Sequence, residues 1–316
     1  YSHTHWLADK TIKMMKKFTK NNLSFTDDKP WLISLDFTEP HLPCRPSEPF
    51  ASMYNPSEIP MWPTFIDKFE NKPYIQKQQL YSWNIENLTW NDWAPIVARY
   101  YGVISQIDDA IGKVLSEIHS LGLDNNTIII YTTDHGDMCG LHRMIDKHCV
   151  LYDDIVKVPF IIKWPGEIKS GAIQKSFVCH SLDLAPTIID IIKRYNKDIK
   201  CYFQGRSLLP LLKGDRVDNW RNFVVSTYNG QQFGLYTQRM IRTDNWKYIW
   251  NATDIDELYN LADDPYELHN IIYETKYNEL LKSLRRLLYE ELVKDKDDMV
   301  VRNEWVKNQL LGGKIV

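Results

Sequence analysis

Apolar residues recur along the chain in helical and strand rhythms, and their order sets out an architecture. Trp6, Ile12, Met15 and Phe18 recur at three- to six-residue steps among lysines, which predicts a first helix. Asn21, Asn22 and the run Asp27-Asp28-Lys29-Pro30 end it. Trp31 to Phe37 is an apolar run of strand length, dense enough to predict burial on both faces. Residues 38–93 are rich in Pro, Trp, Tyr and Asn and show little periodicity, which predicts a long irregular excursion. A helix is predicted from Ala94 to Leu121, with Val97, Tyr101, Ile104, Ile107, Ile111 and Leu115 on one face and Gly122 as its stop.

Strand and helix then alternate. Thr127 to Thr132 reads as a strand whose end carries Asp134-His135-Gly136. Val158 to Trp164 is a further strand closed by Pro165-Gly166, and Asp183 to Ile192 a helix with Pro186 in its first turn. This alternation predicts an α/β fold, a mostly parallel sheet flanked by helices. After Gly214 the texture changes. Asn222–Tyr228, Gly234–Thr243 and Asn245–Trp250 read as short antiparallel strands, and Lys276–Lys294 as a helix. A boundary near residue 215 is therefore expected, between a main domain (1–215) and a small C-terminal α+β subdomain (216–316) with an antiparallel sheet.

Composition narrows the function classes. The 38 Lys and Arg against 41 Asp and Glu give a net charge of -3, which lends no support to a nucleic-acid partner. Apolar runs such as Asn126 to Tyr131 are far too short to span a membrane. Cys44, Cys139, Cys149, Cys179 and Cys201 contain no C-x-x-C pair, so a structural zinc site is not expected, nor is a disulfide framework in a chain with its own core. The start at Tyr1, in the lead-in to a helix, reads as that of a processed or truncated product.

Candidate chemistry concentrates in Thr132-Thr133-Asp134-His135-Gly136-Asp137, followed by His142 and Lys147. An Asp and a His adjacent at a strand end can face one cleft, just beyond the carboxyl edge where open α/β sheets bind ligands. A carboxylate oxygen and a neutral imidazole nitrogen would make two ligands for a divalent cation, with others needed from elsewhere. The same three residues also fit a turn that caps the next helix.

In that order these segments resemble the sulfatase family of the alkaline-phosphatase-like superfamily. The resemblance rests on Thr127 to Met138, Gly140-Leu-His142, Lys147 and Tyr152 to Gly166, and it runs almost the full chain. Asp36-Phe-Thr-Glu-Pro-His41-Leu-Pro43 is similar to the family's Pro-His-x-Pro segment. Arg239 to Tyr248, Glu257 to Leu261 and Asp264 to Glu267 resemble its C-terminal subdomain. The resemblance implies hydrolysis of a sulfate ester, of a small molecule or, as favoured, a sulfated glycan, with Ca2+ or another divalent cation held by Asp134 and His135. It implies that Lys147 contacts the sulfate and offsets charge building on its oxygens, and that His41 binds the sulfate or protonates the leaving oxygen. His142 aligns as a substrate-side residue of the pocket wall, although Arg143 stands where the family commonly has glycine. Phosphonate or phosphate monoester hydrolysis, or a non-catalytic binding role, remains the alternative on the same fold.

The family's nucleophile is a formylglycine made from Cys or Ser in a C/S-x-P-x-R motif, and its metal site is completed by an earlier pair of aspartates. Neither occurs in this sequence. Cys44-Arg-Pro-Ser-Glu48 has Glu48 in place of the arginine and lies after the His41 segment, so Cys44 is rejected as the nucleophile. The expectation is a chain that carries part of a sulfate-ester site, with formylglycine in a missing N-terminal part, and that is inactive alone.

Overall fold

A computed structural model describes residues 2–20, 30–194, 199–230 and 236–314. The first helix, α1 (His3–Lys20), buries Ala8 and Met15 against the long helix α3 (Trp90–Ser120). Between them lies α2 (Tyr74–Trp83), inside the segment expected to be irregular. Gln76 and Gln79 are among its buried residues, and each is held by a side-chain hydrogen bond. A helix whose buried face includes glutamine gives no apolar rhythm, so the pattern could not predict it. The residues that end α1 in the sequence, 21–29, lie outside the described residues.

Helix α3 is where the sequence put it, but its buried face is turned from the predicted stripe. Val97, Val103, Ile107, Ala110, Val114 and Ile118 are buried, whereas Ile104 and Leu115 face solvent. Gly102 explains part of this choice. A Cβ there would lie 2.4 Å from the Phe50 carbonyl oxygen, so the loop backbone packs directly on the helix at this point.

Strand β1 (Ile129–Thr132) pairs with β2 (Phe160–Lys163) in an antiparallel register, not the parallel one expected. Trp31–Phe37 is not paired as a strand, and it is not buried on both faces. Ile33, Leu35 and Phe37 pack toward α1 and α3, while Leu32 is 74% exposed. The turn at residues 133–152 is followed by the short helix α4 (Asp153–Val156), and after β2 come α5 (His180–Lys193) and α6 (Leu209–Leu212).

The C-terminal antiparallel sheet is observed, with order β3 (Phe223–Asn229), β4 (Thr237–Thr243), β5 (Trp246–Asn251) and β6 (Glu257–Asn260). The start of the expected strand at Gly234 lies outside the described residues. Side chains alternate between its faces with the strand period of two. Ile241, Tyr248, Trp250 and Leu258 pack on α7 (Asn278–Lys294), α8 (Asp298–Val301) and α9 (Glu304–Gly312). Met240, Ile249 and Tyr259 turn the other way and share a core with Phe69, Leu80, Met138, Met144, Leu151 and Tyr152. Packing therefore runs across the boundary expected near residue 215.

That second face is also polar. Lys247 reaches Asp153 at 2.7 Å, Glu267 at 2.6 Å and the Leu151 carbonyl at 3.1 Å. Lys72 reaches Asp67 at 2.5 Å, the Tyr152 hydroxyl at 3.0 Å and the Glu267 carbonyl at 2.6 Å. Buried charges are tolerable only when paired and hydrogen-bonded, as they are here. One ammonium, that of Lys247, serves two carboxylates. For Asp153, burial is outweighed by Arg242 and Lys247, which hold it down at about 2. For Glu267, burial wins and pushes the carboxyl up to about 7.

Candidate active site

Beyond Thr132 the chain leaves its pairing, and the Thr132 hydroxyl ties the strand end to the Pro159 carbonyl at 3.0 Å. Asp134 follows with its side chain 82% exposed. Its Oδ1 accepts from the His135 amide at 3.0 Å and the Thr133 hydroxyl at 3.2 Å, leaving Oδ2 3.4 Å from His135 Nε2. Burial alone would raise this carboxyl, but the His135 charge and the backbone amides outweigh it and keep it ionised below the usual range.

The His135 Nδ1 lies 2.8 Å from the Gly136 carbonyl, an acceptor only, so Nδ1 carries a hydrogen; in the neutral ring Nε2 is then the nitrogen with a lone pair. A carboxylate oxygen and an imidazole lone pair side by side fit two positions of a divalent-cation site. Among the described residues no group of three or more His, Cys, Asp and Glu side chains is arranged to hold a metal ion.

Gly136 fixes where this pair sits. Its amide donates to the Ile155 carbonyl at 2.9 Å, and a Cβ would lie 1.8 Å from the Asp154 carbonyl oxygen. The Asp-His-Gly run is thus a close backbone crossing over α4 and does not cap a following helix, which separates the two readings left open by the sequence.

Before Lys147 the chain closes on itself. The Met138 amide donates to the Asp146 carbonyl at 2.9 Å, and the Gly140 amide to Met144 at 2.8 Å. The chain turns through left-handed backbone at Gly140, His142, Arg143 and Asp146. Lys147 Nζ then lies 3.2 Å from Asp146 Oδ1, and His148 Nε2 lies 3.4 Å from Oδ2 of the same carboxylate. Burial lowers the His148 imidazole, Asp146 opposes that, and the charges of Lys147, His135 and His41 lower it further. Three of the expected site residues thus stand close enough to act on one ring, with Asp134 beside His135.

His41 is exposed, and its Nδ1 lies 2.9 Å from the Leu42 carbonyl, so its Nε2 is the nitrogen offered to solvent. Burial foremost, then Asp137, pushes the Cys44 thiol up to about 11, and a thiol that stays protonated is a poor nucleophile. This agrees with its rejection on motif grounds.

His142 does not join the group. Its side chain is 0% exposed, stacks on Tyr152 at 4.1 Å and bonds Asp67 through Nδ1 at 2.6 Å. Burial lowers its pKa, so it is a neutral core imidazole and not the pocket wall expected from its alignment. The sequence reading also passed over Asp146 and His148. Their only signal was adjacency to Lys147 in the run Asp-Lys-His.

A family model described as "Sulfatase" matches residues 4–193, and one described as "N-sulphoglucosamine sulphohydrolase, C-terminal" matches residues 140–294. The chain is 29% identical over 305 residues to an arylsulfatase of Clostridium perfringens, covering 92% of this chain and 57% of the relative. It is 29% identical over 299 residues to a Δ4,5-hexuronate-2-O-sulfatase of Bacteroides thetaiotaomicron, covering 87% of this chain and 60% of the relative. It thus spans somewhat more than half the length of these two relatives. A solved structure described as a complex with its substrate D-glucosamine-2-N,6-O-disulfate superposes with a TM-score of 0.78 at 22% identity, over 92% of this chain and 70% of the other, which shows the fold.

Proposed function

The chain belongs to the sulfatase family, and we propose that Asp134, His135, Lys147 and His41 bind the sulfate group of a sulfated glycan for hydrolysis of its ester. What supports this reading is proximity: Asp134 Oδ2 lies 3.4 Å from His135 Nε2, and Lys147 Nζ lies 3.2 Å from Asp146 Oδ1, whose partner oxygen is 3.4 Å from His148 Nε2. A sulfated sugar is favoured by the match to a hexuronate sulfatase and to the C-terminal model of a sulphoglucosamine sulphohydrolase.

The chemistry follows from the residues. The Lys147 ammonium, oriented by Asp146, offers hydrogen bonds and positive charge to sulfate oxygens as negative charge grows on them. His41, with Nε2 presented to solvent, is placed to protonate the departing sugar oxygen. Asp134 Oδ2 and His135 Nε2 are the atoms that would hold a divalent cation such as calcium. When bound, that ion polarises the sulfate oxygens as a Lewis acid. The formylglycine nucleophile that the family uses has no counterpart at Cys44, whose thiol stays protonated.

The test is turnover by the full-length protein. Matched aryl sulfate, sulfated N-acetylglucosamine and phosphonate monoester substrates are compared in the wild type and in Lys147→Ala. The expected result is a sulfate-ester preference and a roughly 100- to 1,000-fold fall in kcat for the variant, the scale for losing one preorganised donor. Unchanged turnover in Lys147→Ala, or a preference for the phosphonate, overturns the reading.

A further inference from the structure

The solvent face of α1 carries a row of lysines that α3, α7 and α9 do not. Its residues Trp6, Lys10, Lys13 and Lys17 follow steps of four, three and four, so they stand in one row on the exposed side, with Met14 beside them. Trp6 is 45% exposed and Met14 46%. A shallow groove of about 340 Å³ is lined by Lys10, Lys13, Met14, Lys16 and Lys17.

The charge of this row is not balanced locally. On α3, α7 and α9, lysines lie beside acids one turn away: Lys113 with Asp109, Lys282 with Glu279, Lys294 with Glu291, Lys307 with Glu304. On α1, Lys16 is taken by Glu117 at 3.1 Å, and Lys10 lies 5.1 Å above the Trp6 ring. Lys13 and Lys17 have no carboxylate partner among the described residues. The helix carries five lysines and one acid, Asp9, in a chain whose net charge is -3. A lysine face that serves only solubility has no need of such an imbalance beside an exposed indole.

The row also starts next to the candidate site. His3 stacks on Trp6 at 5.7 Å and reaches Glu39 at 4.0 Å, two residues before His41. His5 stacks on Phe50 at 6.0 Å. From Trp6 to Lys17 the helix rises about 17 Å, at about 1.5 Å per residue.

We propose that this row is an accessory binding strip for a sulfated polysaccharide, gripping the chain beyond the sulfate held at Lys147. The lysine ammoniums pair with successive sulfate and carboxylate groups, and the Trp6 indole offers a flat apolar face to a sugar ring. Charge complementarity commits the strip to a polyanion, and the indole favours a sugar over an acidic peptide. The proposal rests on the sulfated-glycan reading above and deepens it.

The experiment measures binding by the 316-residue chain of a heparan sulfate hexasaccharide, its desulfated counterpart, poly-glutamate, and vesicles of phosphatidylserine and phosphatidylcholine. The variants are Lys10→Gln/Lys13→Gln/Lys17→Gln, Trp6→Ala, and a control, Lys282→Gln/Lys307→Gln, all on the surface. The triple variant should bind the sulfated hexasaccharide about tenfold or more weakly, about 1.4 kcal/mol. Trp6→Ala should lose a smaller factor, the control none, and added salt should shrink the difference. Loss of the same size in the control, no loss in the triple variant, or tighter binding of vesicles or poly-glutamate than of the hexasaccharide overturns the proposal. Glucosamine 6-sulfate binding in Lys147→Ala is read in parallel. If Lys147→Ala loses the monosaccharide while the triple variant keeps the hexasaccharide, the strip fails and the site reading stands. The opposite pattern fails the site reading and leaves the strip.

Discussion

Two Asp–His pairs in this chain have the same chemical parts and opposite fates. Asp134–His135 sits at the tip of β1 with its carboxylate open to solvent, one carboxylate oxygen and one imidazole lone pair uncommitted to any strong donor. Asp67–His142 is buried, closed at 2.6 Å, and braced by Lys72, Thr64 and Tyr152. The first pair is available for a ligand because its environment leaves it unsatisfied at little desolvation cost. The second is committed to the joint between the 67–152 region and the C-terminal sheet, with His142 Nδ1 closed on Asp67 and its Nε2 buried without a partner among the described residues. Residue type alone does not mark a site; what matters is whether neighbours have already used the donors and acceptors.

Breaking the buried pair should have the largest effect. Lys72→Met leaves the buried Asp67 bonded to the neutral His142 without its lysine partner, and a loss of about 3–5 kcal/mol of stability is expected by chemical denaturation. A loss below 1 kcal/mol would show that the joint does not depend on this charge.

The next effect is a pH dependence at the same joint. Glu267 has its folded pKa raised to about 7 by burial, above an ordinary value of 4.5. A raised carboxyl contributes stability that is fully present below the unfolded value and is lost as pH rises through the folded one. Wild-type stability should therefore fall between about pH 4.5 and 7, by up to about 3 kcal/mol. Glu267→Gln should flatten that window, and denaturation curves at pH 5 and 8 check it.

At the strand tip the backbone, not the charge, carries stability. Gly136→Ala drives a methyl group into the Asp154 carbonyl and should cost roughly 1–3 kcal/mol, read as a fall in Tm. Asp134→Ala should be the mildest for stability, within about 0.5 kcal/mol, since the side chain is mostly in water. Calcium-dependent stabilisation, measured by thermal shift, should nevertheless weaken in Asp134→Ala. If Asp134→Ala destabilises as much as Lys72→Met, the contrast between the two pairs is wrong.

Much of the fold was legible from pattern, because helices such as α3 and α7 and the strands β3 to β5 bury apolar residues at regular spacing. Helix α2 was not legible, since buried Gln76 and Gln79 depend on partners at His148 and Glu257, far along the chain. The run Trp31–Phe37 misled for a related reason: apolar density says that burial is favourable, not that a neighbour covers both faces.

By itself the sequence determined the family and most of the order of elements, and it nominated His41, Asp134, His135 and Lys147, because local rhythm and motif spacing are properties of the chain alone. Tertiary structure decided which histidine stays available and which is spent on the core. It also set His142 against Asp67, 75 residues away. Those outcomes depend on desolvation and pairing between residues distant in sequence, and no local pattern records them.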